Sequence, residues 1–599
     1  MTEKPATTRS EAGLTDPATF MRNMARVMDQ AAKIMAARPA AERGGQDMPT
    51  SDAATMAKAF QDVAQSYMSD PQKLVDAQFK LWQQYSDLWQ NSWRRFLGEP
   101  AKATVQPGRG DKRFTDRDWE DNQIFDFLKQ SYLIATRWAN DVVQDATQLD
   151  DRTRQQASFY VEQLANAMSP SNFALTNPEV LRATLASNGQ NLVEGMQHLA
   201  EDMAAGGGEL RIKQTDMEAF EIGRNIATTP GKVVFQNEVM QLIQYEPSTE
   251  TVFSRPLLIV PPWINKFYIL DLNAQKSFIR WAVAQGLTVF VISWVNPDER
   301  LGMKTFGDYM KDGVLAALDA VEAATGQREI NTIGYCVGGT LMATTLGYMA
   351  AKGDDRIKST TFFATQVDFE KAGDLLVFID EEQIASLERR MAERGYLDGG
   401  KMANTFNMLR SNDLIWSYVV NNYLLGRNPL PFDLLYWNAD ATRMPAALHS
   451  YYLRECYLNN RLAKGEMVID GVQINLSKAK QPIYNLVTRE DHIAPLPSGF
   501  RVGQKMGGDT RLVVAGSGHI AGVVNPPEAH KYSYWTSVNG GDTPEAWLQS
   551  ASEHEGSWWP DWFKWIEAQS GDRVPARTPG DGKLKPIEDA PGLYVRVRS

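Results

Sequence analysis

Helical periodicity dominates the first third of the sequence. From Pro71 onward, large apolar side chains recur mostly at steps of three or four residues. A second such pattern follows the Pro- and Gly-rich stretch 98–110 and runs to about residue 198. This spacing predicts an all-α N-terminal domain over residues 71–205. Residues 1–70 are richer in small and polar residues and carry one short amphipathic helix candidate near residues 20–35, so we expect a mobile N-terminal arm there.

The pattern changes to alternating strands and helices after the glycine run Gly206–Gly208. Short apolar segments are separated by helical stretches, which is typical of a doubly wound α/β sheet. We assign residues 206–599 to this α/β domain and interpret the helical, aromatic-rich interruption at about residues 366–480 as a cap inserted into it. The predicted strands are Lys232–Phe235, Met240–Tyr245, Leu257–Val260, Leu287–Ser293, Ile330–Tyr335, Thr360–Ala364, Ile483–Val487, Leu512–Ala515 and a final strand-like piece, Leu593–Val597.

Composition narrows the classes of function. Hydrophobic residues make up 43% and charged residues 23% of the 599 residues, as in ordinary globular proteins, and the net charge of -11 disfavours a nucleic-acid partner. The two cysteines, Cys336 and Cys456, are too few for a disulfide framework or a cysteine-rich metal site. We therefore expect a protein that resides in the reducing cytoplasm and binds no metal. The apolar runs are strand-sized, which predicts no membrane span.

Cys336 lies at the centre of the sequence Gly334-Tyr-Cys-Val-Gly338, directly after a predicted strand. A Gly-x-nucleophile-x-Gly turn between a strand and a helix is the nucleophile elbow of the α/β-hydrolase fold, in which glycines permit a tight turn. The helix N-terminus favours a thiolate, and the amide of Val337 could point at the oxyanion formed on attack. The motif predicts Cys336 as a nucleophile. A buried core cysteine beside a glycine-rich turn is the alternative.

An acid and a histidine are expected later in such a chain, each on a loop after a late strand. Asp491 follows the strand Ile483–Val487 and His519 follows the strand Leu512–Ala515, so the order is nucleophile, acid, base. These positions predict a catalytic triad of Cys336, Asp491 and His519.

Neighbouring residues leave alternatives to this triad. Glu490 is a second candidate acid, but aspartate has the shorter side chain and adjacent residues leaving a strand usually face differently. His492 is a second candidate base, and we prefer His519 because of its topology. Cys456 lacks flanking glycines and is interpreted as a packing residue.

The second oxyanion donor of this architecture comes from the turn after an early strand, which here is residues 261–266. Ile264 or Trp263 would supply the amide, and a proline-rigidified turn without a catalytic part is an equal alternative. Within the cap, Arg410 is a candidate for the substrate channel, and an exposed arginine in a salt bridge is at least as compatible with the pattern.

Several segments jointly resemble those of polyhydroxyalkanoate synthases. The resemblance extends over nearly the whole chain beyond about Asp111, and the long helical N-terminal domain is similar to the class I type. In that family the matched triad is Cys336, Asp491 and His519. The segments are Gly334-Tyr-Cys-Val-Gly-Gly339, Pro261-Pro-Trp-Ile-Asn-Lys-Phe-Tyr-Ile-Leu-Asp271, Ser293-Trp-Val-Asn-Pro297, Arg489-Glu-Asp-His-Ile493 and Ser517-Gly-His-Ile-Ala-Gly-Val-Val-Asn-Pro-Pro527.

The resemblance implies an acyltransferase that polymerises (R)-3-hydroxyacyl-CoA, with 3-hydroxybutyryl-CoA and other short-chain units expected, and releases CoA without a cofactor. It also implies a growing polyester chain, a granule surface in the cytoplasm and a second copy of the protein as partners. It leaves open whether Asp491 orients His519 or activates the hydroxyl of the incoming unit. Two alternatives remain: a cysteine α/β-hydrolase or thioesterase, and a non-catalytic granule-coating protein.

The first helix of the N-terminal domain carries one strongly apolar face. Domain stability, dimer formation and granule attachment are equally open as its purpose. The face consists of Val75, Phe79, Trp82, Trp89, Trp93 and Phe96.

Overall fold

The computed structural model describes residues 14–37, 50–538 and 540–599, and these divide into two compact units. The first unit comprises the described residues up to Asp216 together with Phe406–Leu430, and the second comprises Met217–Thr405 and Pro431–Ser599. The predicted mobile arm falls partly on residues 1–13 and 38–49, which lie outside the described residues. Within the described part of the chain, no helix is both long and apolar enough to cross a membrane.

The first unit is helical, as predicted. Several of its helices begin at residues with strong capping chemistry: the side chains of Asn122, Asp150 and Asn177 accept hydrogen bonds from the first amides of the helices that follow them. Two helices also lie within the predicted arm. The helices are α1 (Pro17–Ala37), α2 (Thr50–Ser69), α3 (Pro71–Phe96), α4 (Asp118–Asp121), α5 (Gln123–Asp145), α6 (Asp151–Ala167), α7 (Pro178–Ala186) and α8 (Gln190–Ala205).

The aromatic face of α3 is exposed rather than buried. Phe79, Trp82, Trp93 and Phe96 are between 61% and 67% exposed, whereas Leu88, on another side of the helix, is fully buried. Leu88 packs in a small core with residues of α4 and α5. The helix therefore docks through a narrow stripe around Leu88 and leaves these four aromatic rings on the surface, where they stack in pairs along the helix.

The predicted cap at 366–480 does not belong wholly to the α/β unit, because Phe406–Leu430 packs with the helices of the first unit. Buried polar groups fix it there. The Tyr423 hydroxyl donates to Asp202 Oδ2 at 2.5 Å, and the Asn422 amide donates to the Lys213 carbonyl at 2.8 Å. Helical periodicity alone could not separate this segment from the rest of the insertion.

The second unit is built on an eleven-stranded sheet with the order β10-β9-β8-β7-β6-β5-β3-β4-β2-β1-β11. Strands β3 to β8 are mutually parallel, and the outer strands are antiparallel. The strands are β1 (Gly231–Gln236), β2 (Met240–Tyr245), β3 (Leu257–Val260), β4 (Val289–Trp294), β5 (Ile330–Tyr335), β6 (Ile357–Phe363), β7 (Ile483–Thr488), β8 (Thr510–Ala515), β9 (Ser533–Thr536), β10 (Ser552–Glu555) and β11 (Glu588–Asp589).

This sheet confirms the predicted α/β architecture, since eight of the predicted strands lie within two or three residues of their observed bounds. The ninth prediction is wrong: Leu593–Val597 forms a 3₁₀ turn at Tyr594–Arg596 instead of a strand. Its carbonyls bond to side chains rather than to a neighbouring strand. Strands β9 to β11 were not predicted, because each has at most four residues, too few to display a clear alternating pattern.

Helices connect and cover the strands of the second unit. They are α9 (Phe278–Ala284), α10 (Phe306–Asp308), α11 (Ala316–Thr325), α12 (Val337–Lys352), α13 (Glu381–Arg394), α14 (Gly399–Leu409, whose last turn falls in the first unit), α15 (Asp433–Ala439), α16 (Ala446–Tyr452), α17 (Arg461–Lys464), α18 (Leu496–Lys505), α19 (Pro544–Ser550) and α20 (Trp559–Glu567), with π-helical turns at Tyr309–Leu315 and Leu453–Leu458. Two further π-helical turns, Asn412–Trp416 and Val419–Leu424, belong to the first unit.

We expect Gly195→Ala to destabilise the helical unit. In an open helix this change would stabilise by about 1 kcal/mol. A Cβ at Gly195, however, would lie 1.9 Å from the backbone oxygen of Tyr423, so the close packing of α8 against Phe406–Leu430 would have to open. The expected cost is about 1–3 kcal/mol, measured by thermal unfolding. Gly108→Ala is the matched control, because a Cβ there meets nothing within 4 Å. Equal melting temperatures for the two variants would contradict the expectation.

Candidate active site

Cys336 lies between β5 and α12 in a backbone conformation that only a few non-glycine residues adopt. Its φ is 51° and its ψ is −123°. A side chain in this region costs about 1–3 kcal/mol and persists only where the surroundings enforce it. Here the Cys336 amide donates to the Phe363 carbonyl at 2.9 Å, and the Cys336 carbonyl accepts from the Gly339 amide at 2.9 Å. The turn thus presents the thiol at the carboxyl edge of the sheet.

Close packing of three glycines enforces this turn. A Cβ on Gly334 would lie 2.6 Å from Gly339 Cα, and one on Gly338 would lie 2.4 Å from the Val260 oxygen. A Cβ on Gly339 would lie 1.9 Å from Thr365 Oγ1. Each contact is too short for any side chain, so β5, α12 and β3 approach one another only because glycine stands at all three positions.

Asp491, on the loop after β7, is held by four hydrogen bonds. Its Oδ1 accepts from the amides of Ile493 and Ala494 at 2.9 and 2.8 Å. Its Oδ2 accepts from Thr488 Oγ1 and faces His519 Nδ1, both at 2.8 Å. Burial alone would raise the pKa of Asp491, but the charge of His519 and these hydrogen bonds outweigh it and lower the pKa. The carboxylate is therefore ionised and fixed in orientation.

His519, on the loop after β8, is buried and joins Asp491 to Cys336. Burial acts to lower the pKa of His519, yet the charges of Asp491 and Cys336, with a hydrogen bond to each, raise the pKa to about 10. The Tyr335 ring stacks on the imidazole at 5.8 Å, and its hydroxyl donates to the His519 carbonyl at 3.2 Å. Because Nδ1 is engaged by the carboxylate, Nε2 is the nitrogen available to the thiol.

The structure brings the side chains of Cys336, Asp491 and His519 together, as the sequence predicts. Glu490 is exposed, whereas Asp491 beside it is buried against His519. Cys456 is fully buried, and burial raises the pKa of its thiol. Burial also lowers the pKa of His449 to about 4, which fits a structural imidazole.

Two stretches of backbone meet beside the thiol. Val337 is the first residue of α12, so its amide belongs to the unsatisfied helix N-terminus. The loop that carries Ile264 lies against this helix end, because a Cβ on Gly338 would be only 2.5 Å from the Pro261 oxygen. The assignment of Val337 and Ile264 as oxyanion donors stays a prediction, and their positions are compatible with it.

Arg410 belongs to the helical unit. Its guanidinium pairs with Asp413 at 2.5 Å on the same helical stretch, and about half of the side chain is exposed. This is the salt-bridged surface arginine that the sequence left as an alternative, and a role in the substrate channel stays a prediction.

Sequence reasoning missed two buried tyrosines, Tyr452 and Tyr457, whose hydroxyls lie close enough to Cys336 to be influenced by its charge. Both side chains are buried, and burial is the main cause that raises the pKa of each hydroxyl. The charge of Cys336 raises these pKa values further. Their rings meet edge-on at 5.4 Å, and Phe369 packs on Tyr457 at 4.7 Å. The π-helical turn Leu453–Leu458 brings residues five apart to the same side. A search at helical spacing of three and four could not find this pair.

Groups of three or more histidine, cysteine, aspartate or glutamate side chains arranged to hold a metal ion do not occur in residues 14–37, 50–538 and 540–599.

Comparisons with known proteins give the family. A family profile described as poly-beta-hydroxybutyrate polymerase (PhaC) N-terminus matches residues 110–282, and one described as alpha/beta hydrolase fold matches residues 263–526. Among solved structures, a hydrolase from Pseudomonas aeruginosa PA01 is 15% identical with a TM-score of 0.29, covering 49% of this chain and 92% of its own. A monoacylglycerol lipase from Paleococcus ferrophilus is also 15% identical, with a TM-score of 0.30, and the match covers 47% of this chain and 90% of the lipase.

Curated relatives match over nearly the whole length. The poly(3-hydroxyalkanoate) polymerase subunit PhaC of Rhizobium meliloti is 55% identical over 98% of this chain and 96% of its own. The poly(3-hydroxyalkanoate) polymerase of Methylorubrum extorquens is 57% identical over 91% and 90%. The PhaC subunit of Cupriavidus necator is 41% identical over 88% and 89%. This chain therefore belongs to the poly(3-hydroxyalkanoate) polymerases, acyltransferase enzymes with an α/β-hydrolase fold.

Proposed function

We propose that this protein polymerises (R)-3-hydroxyacyl-CoA into polyester through a thioester on Cys336, with release of CoA and without a cofactor. The observation that carries the proposal is a cysteine at the centre of a nucleophile elbow, next to a buried Asp491–His519 pair. Sulfur suits this reaction because exchange between thioesters is nearly isoenergetic. The acyl group stays activated for transfer to a hydroxyl, which a serine ester would not provide.

The resting site is proposed to hold a Cys336 thiolate beside a His519 imidazolium. The thiolate attacks the thioester carbonyl, and the amides of Val337 and Ile264 stabilise the oxyanion. Collapse breaks the carbon–sulfur bond to CoA, and the imidazolium gives its proton to the departing CoA sulfur. The now neutral His519 then accepts the proton of a hydroxyl, from a second unit or a chain end, as that oxygen attacks the Cys336 thioester. The new ester forms and the thiolate returns.

Orientation of His519 is the role that the geometry favours for Asp491. Both carboxylate oxygens are already engaged, by Ile493 and Ala494 on one side and by Thr488 and His519 on the other. The side chain is fully buried. A substrate hydroxyl would have to displace one of these partners to reach the carboxylate, so activation of the hydroxyl falls to His519.

Water must be kept from the acyl-enzyme, since hydrolysis competes with transfer. Tyr452, Tyr457 and Phe369 form a buried aromatic wall near Cys336 and are suited to this task. Short-chain substrates, a homodimer and attachment to cytoplasmic polyester granules complete the proposal. The exposed aromatic face of α3 is compatible with a surface contact of that kind.

We expect Cys336→Ala to abolish CoA release and polymer formation from (R)-3-hydroxybutyryl-CoA, because no other thiol reaches the His519–Asp491 pair. Cys456→Ala is the matched control and should retain turnover, since Cys456 is buried and His519 is hydrogen-bonded to Asp491 and Cys336 instead. CoA release and product mass are measured together. Free 3-hydroxybutyrate as the product of the unaltered protein would support a hydrolase instead, and no turnover at all would support a coat protein.

We expect Asp491→Asn to lower the pKa of His519 by at least about one unit, because the Asp491 carboxylate is the strongest influence that raises it. The titration of His519 should therefore move to lower pH in the variant, away from its midpoint of about 10 in the unaltered protein. Nitrogen-15 NMR of histidine-labelled protein across pH 6–11 measures the change. Glu490→Gln removes a neighbouring but exposed carboxylate and should leave the titration in place. A shift with Glu490→Gln but not with Asp491→Asn would reverse the assignment of the acid.

A further inference from the structure

Lys266 is a buried lysine outside the triad. The residue is 3% exposed, and its ammonium donates to the carbonyls of Val595 and Val597, both at 2.7 Å. Asp440 Oδ1 lies 3.4 Å away, and its charge partly offsets the lowering of the Lys266 pKa by burial. Two of the three donors of this ammonium thus have carbonyl acceptors, and the Asp440 carboxylate lies within ion-pair distance. A buried charge held by such partners keeps them in place, because losing one would leave the charge less compensated.

The loop that contains Lys266 also contains Ile264, the proposed oxyanion donor. The peptide between Trp263 and Ile264 is oriented from one side, because Thr442 Oγ1 donates to the Trp263 carbonyl. In a trans peptide the carbonyl and the N–H point in opposite directions. Fixing the Trp263 carbonyl on Thr442 therefore turns the Ile264 N–H to the opposite side. The Thr442 amide holds the next carbonyl, that of Ile264, at 3.0 Å.

Residues 595–599, here termed the brace, connect Lys266 to the segment that carries Thr442. Val595 is fully buried. The Val597 carbonyl accepts from Lys266 and from Asn296 Nδ2, the latter at 3.1 Å. The Ser599 hydroxyl donates to the Ala441 carbonyl, and Ala441 forms a β-bridge with Asn265. The brace thus spans both sides of the loop, at Lys266 and at Ala441.

We propose that Lys266 is a positioning residue for acyl transfer, which acts by fastening the brace across the loop so that the Ile264 N–H stays aimed at the oxyanion. This inference rests on the proposed chemistry at Cys336. Lys266 contacts neither the thiol nor the imidazole in the contacts described here, and its effect passes through backbone geometry. Removing its ammonium frees the Val595 carbonyl and leaves the Val597 carbonyl with Asn296 as its remaining donor, which loosens the loop, while the triad keeps its own hydrogen bonds.

The test compares two reactions of the same thiol in Lys266→Met. Transfer from (R)-3-hydroxybutyryl-CoA passes through an oxyanion, whereas alkylation of Cys336 by iodoacetamide is a substitution at carbon and forms none. We expect kcat for CoA release to fall about tenfold or more, with KM and the alkylation rate within about twofold of the unaltered protein. Lys358→Met is the matched control. Lys358 also forms ion pairs, with Asp355 and Glu329. It lies at the start of β6, at the amino ends of the parallel strands, whereas Cys336 lies at their carboxyl ends.

Two further variants keep the test decisive if Lys266→Met does not fold. Asn296→Ala removes one hydrogen bond to the brace without burying a lone charge and should lower kcat in the same selective way, by a smaller factor. A chain that ends at Tyr594 lacks the brace. Adding Lys266→Met to this chain should lower kcat little further, because both changes remove the same contact between Lys266 and the brace.

An unchanged kcat in folded Lys266→Met and in Asn296→Ala would overturn the proposal, as would an alkylation rate that falls in parallel with kcat. The unaltered protein separates this failure from that of the proposed function. If it releases CoA and forms polymer while the variants do so equally well, only the role of Lys266 is lost. If it has no transfer activity, the chemistry proposed for Cys336 fails first.

Discussion

The backbone of Cys336 is held at φ 51° and ψ −123° by a junction in which strand, helix and loop touch without side chains between them. Gly334, Gly338 and Gly339 make that junction possible, because a single methyl group at any of them would overlap a neighbouring atom. The rest of the site is arranged around it. The Cys336 thiol lies beside His519, and the first turn of α12 packs against the loop that contains Ile264. The strain at one residue is stabilised by the packing of the whole sheet edge.

Much of this arrangement follows from local rules that the sequence displays openly. The parallel strands at the centre of the sheet are buried on both faces, so they appear as continuous apolar runs that a single chain reveals. The elbow is recognisable because its backbone demands glycine at fixed positions around Cys336. Asp491 and His519 are predicted to lie together because each follows a buried strand, and the structure places them in contact. Where the fold requires one residue type at one place, its position can be predicted from the sequence.

Other features depend on partners that are distant in sequence. The periodicity of α3 identifies one strongly apolar face, but Leu88, on another side of the helix, enters the small core, and the rings of the apolar face stay exposed. Phe406–Leu430 is helical like its neighbours, and only hydrogen bonds such as that of Tyr423 with Asp202 determine the unit it joins. Tyr452 and Tyr457 come together through a π-helical turn, which no regular period encodes. Such outcomes are set by packing and cannot be derived from spacing.

The order of strands in the sheet has a consequence for how the chain reaches its native state. β6 pairs with β7 on one side, so that Thr360 lies beside Ile483, although the whole insertion separates them in sequence. Joining such distant segments costs loop-closure entropy before any contact repays it, and topologies of this kind fold slowly. Until β7 and β8 arrive, β6 exposes an apolar edge that can pair with other chains. The yield of active enzyme therefore depends on whether β7 and β8 dock within the chain before chains aggregate. Dilution and low temperature during synthesis would favour docking over aggregation.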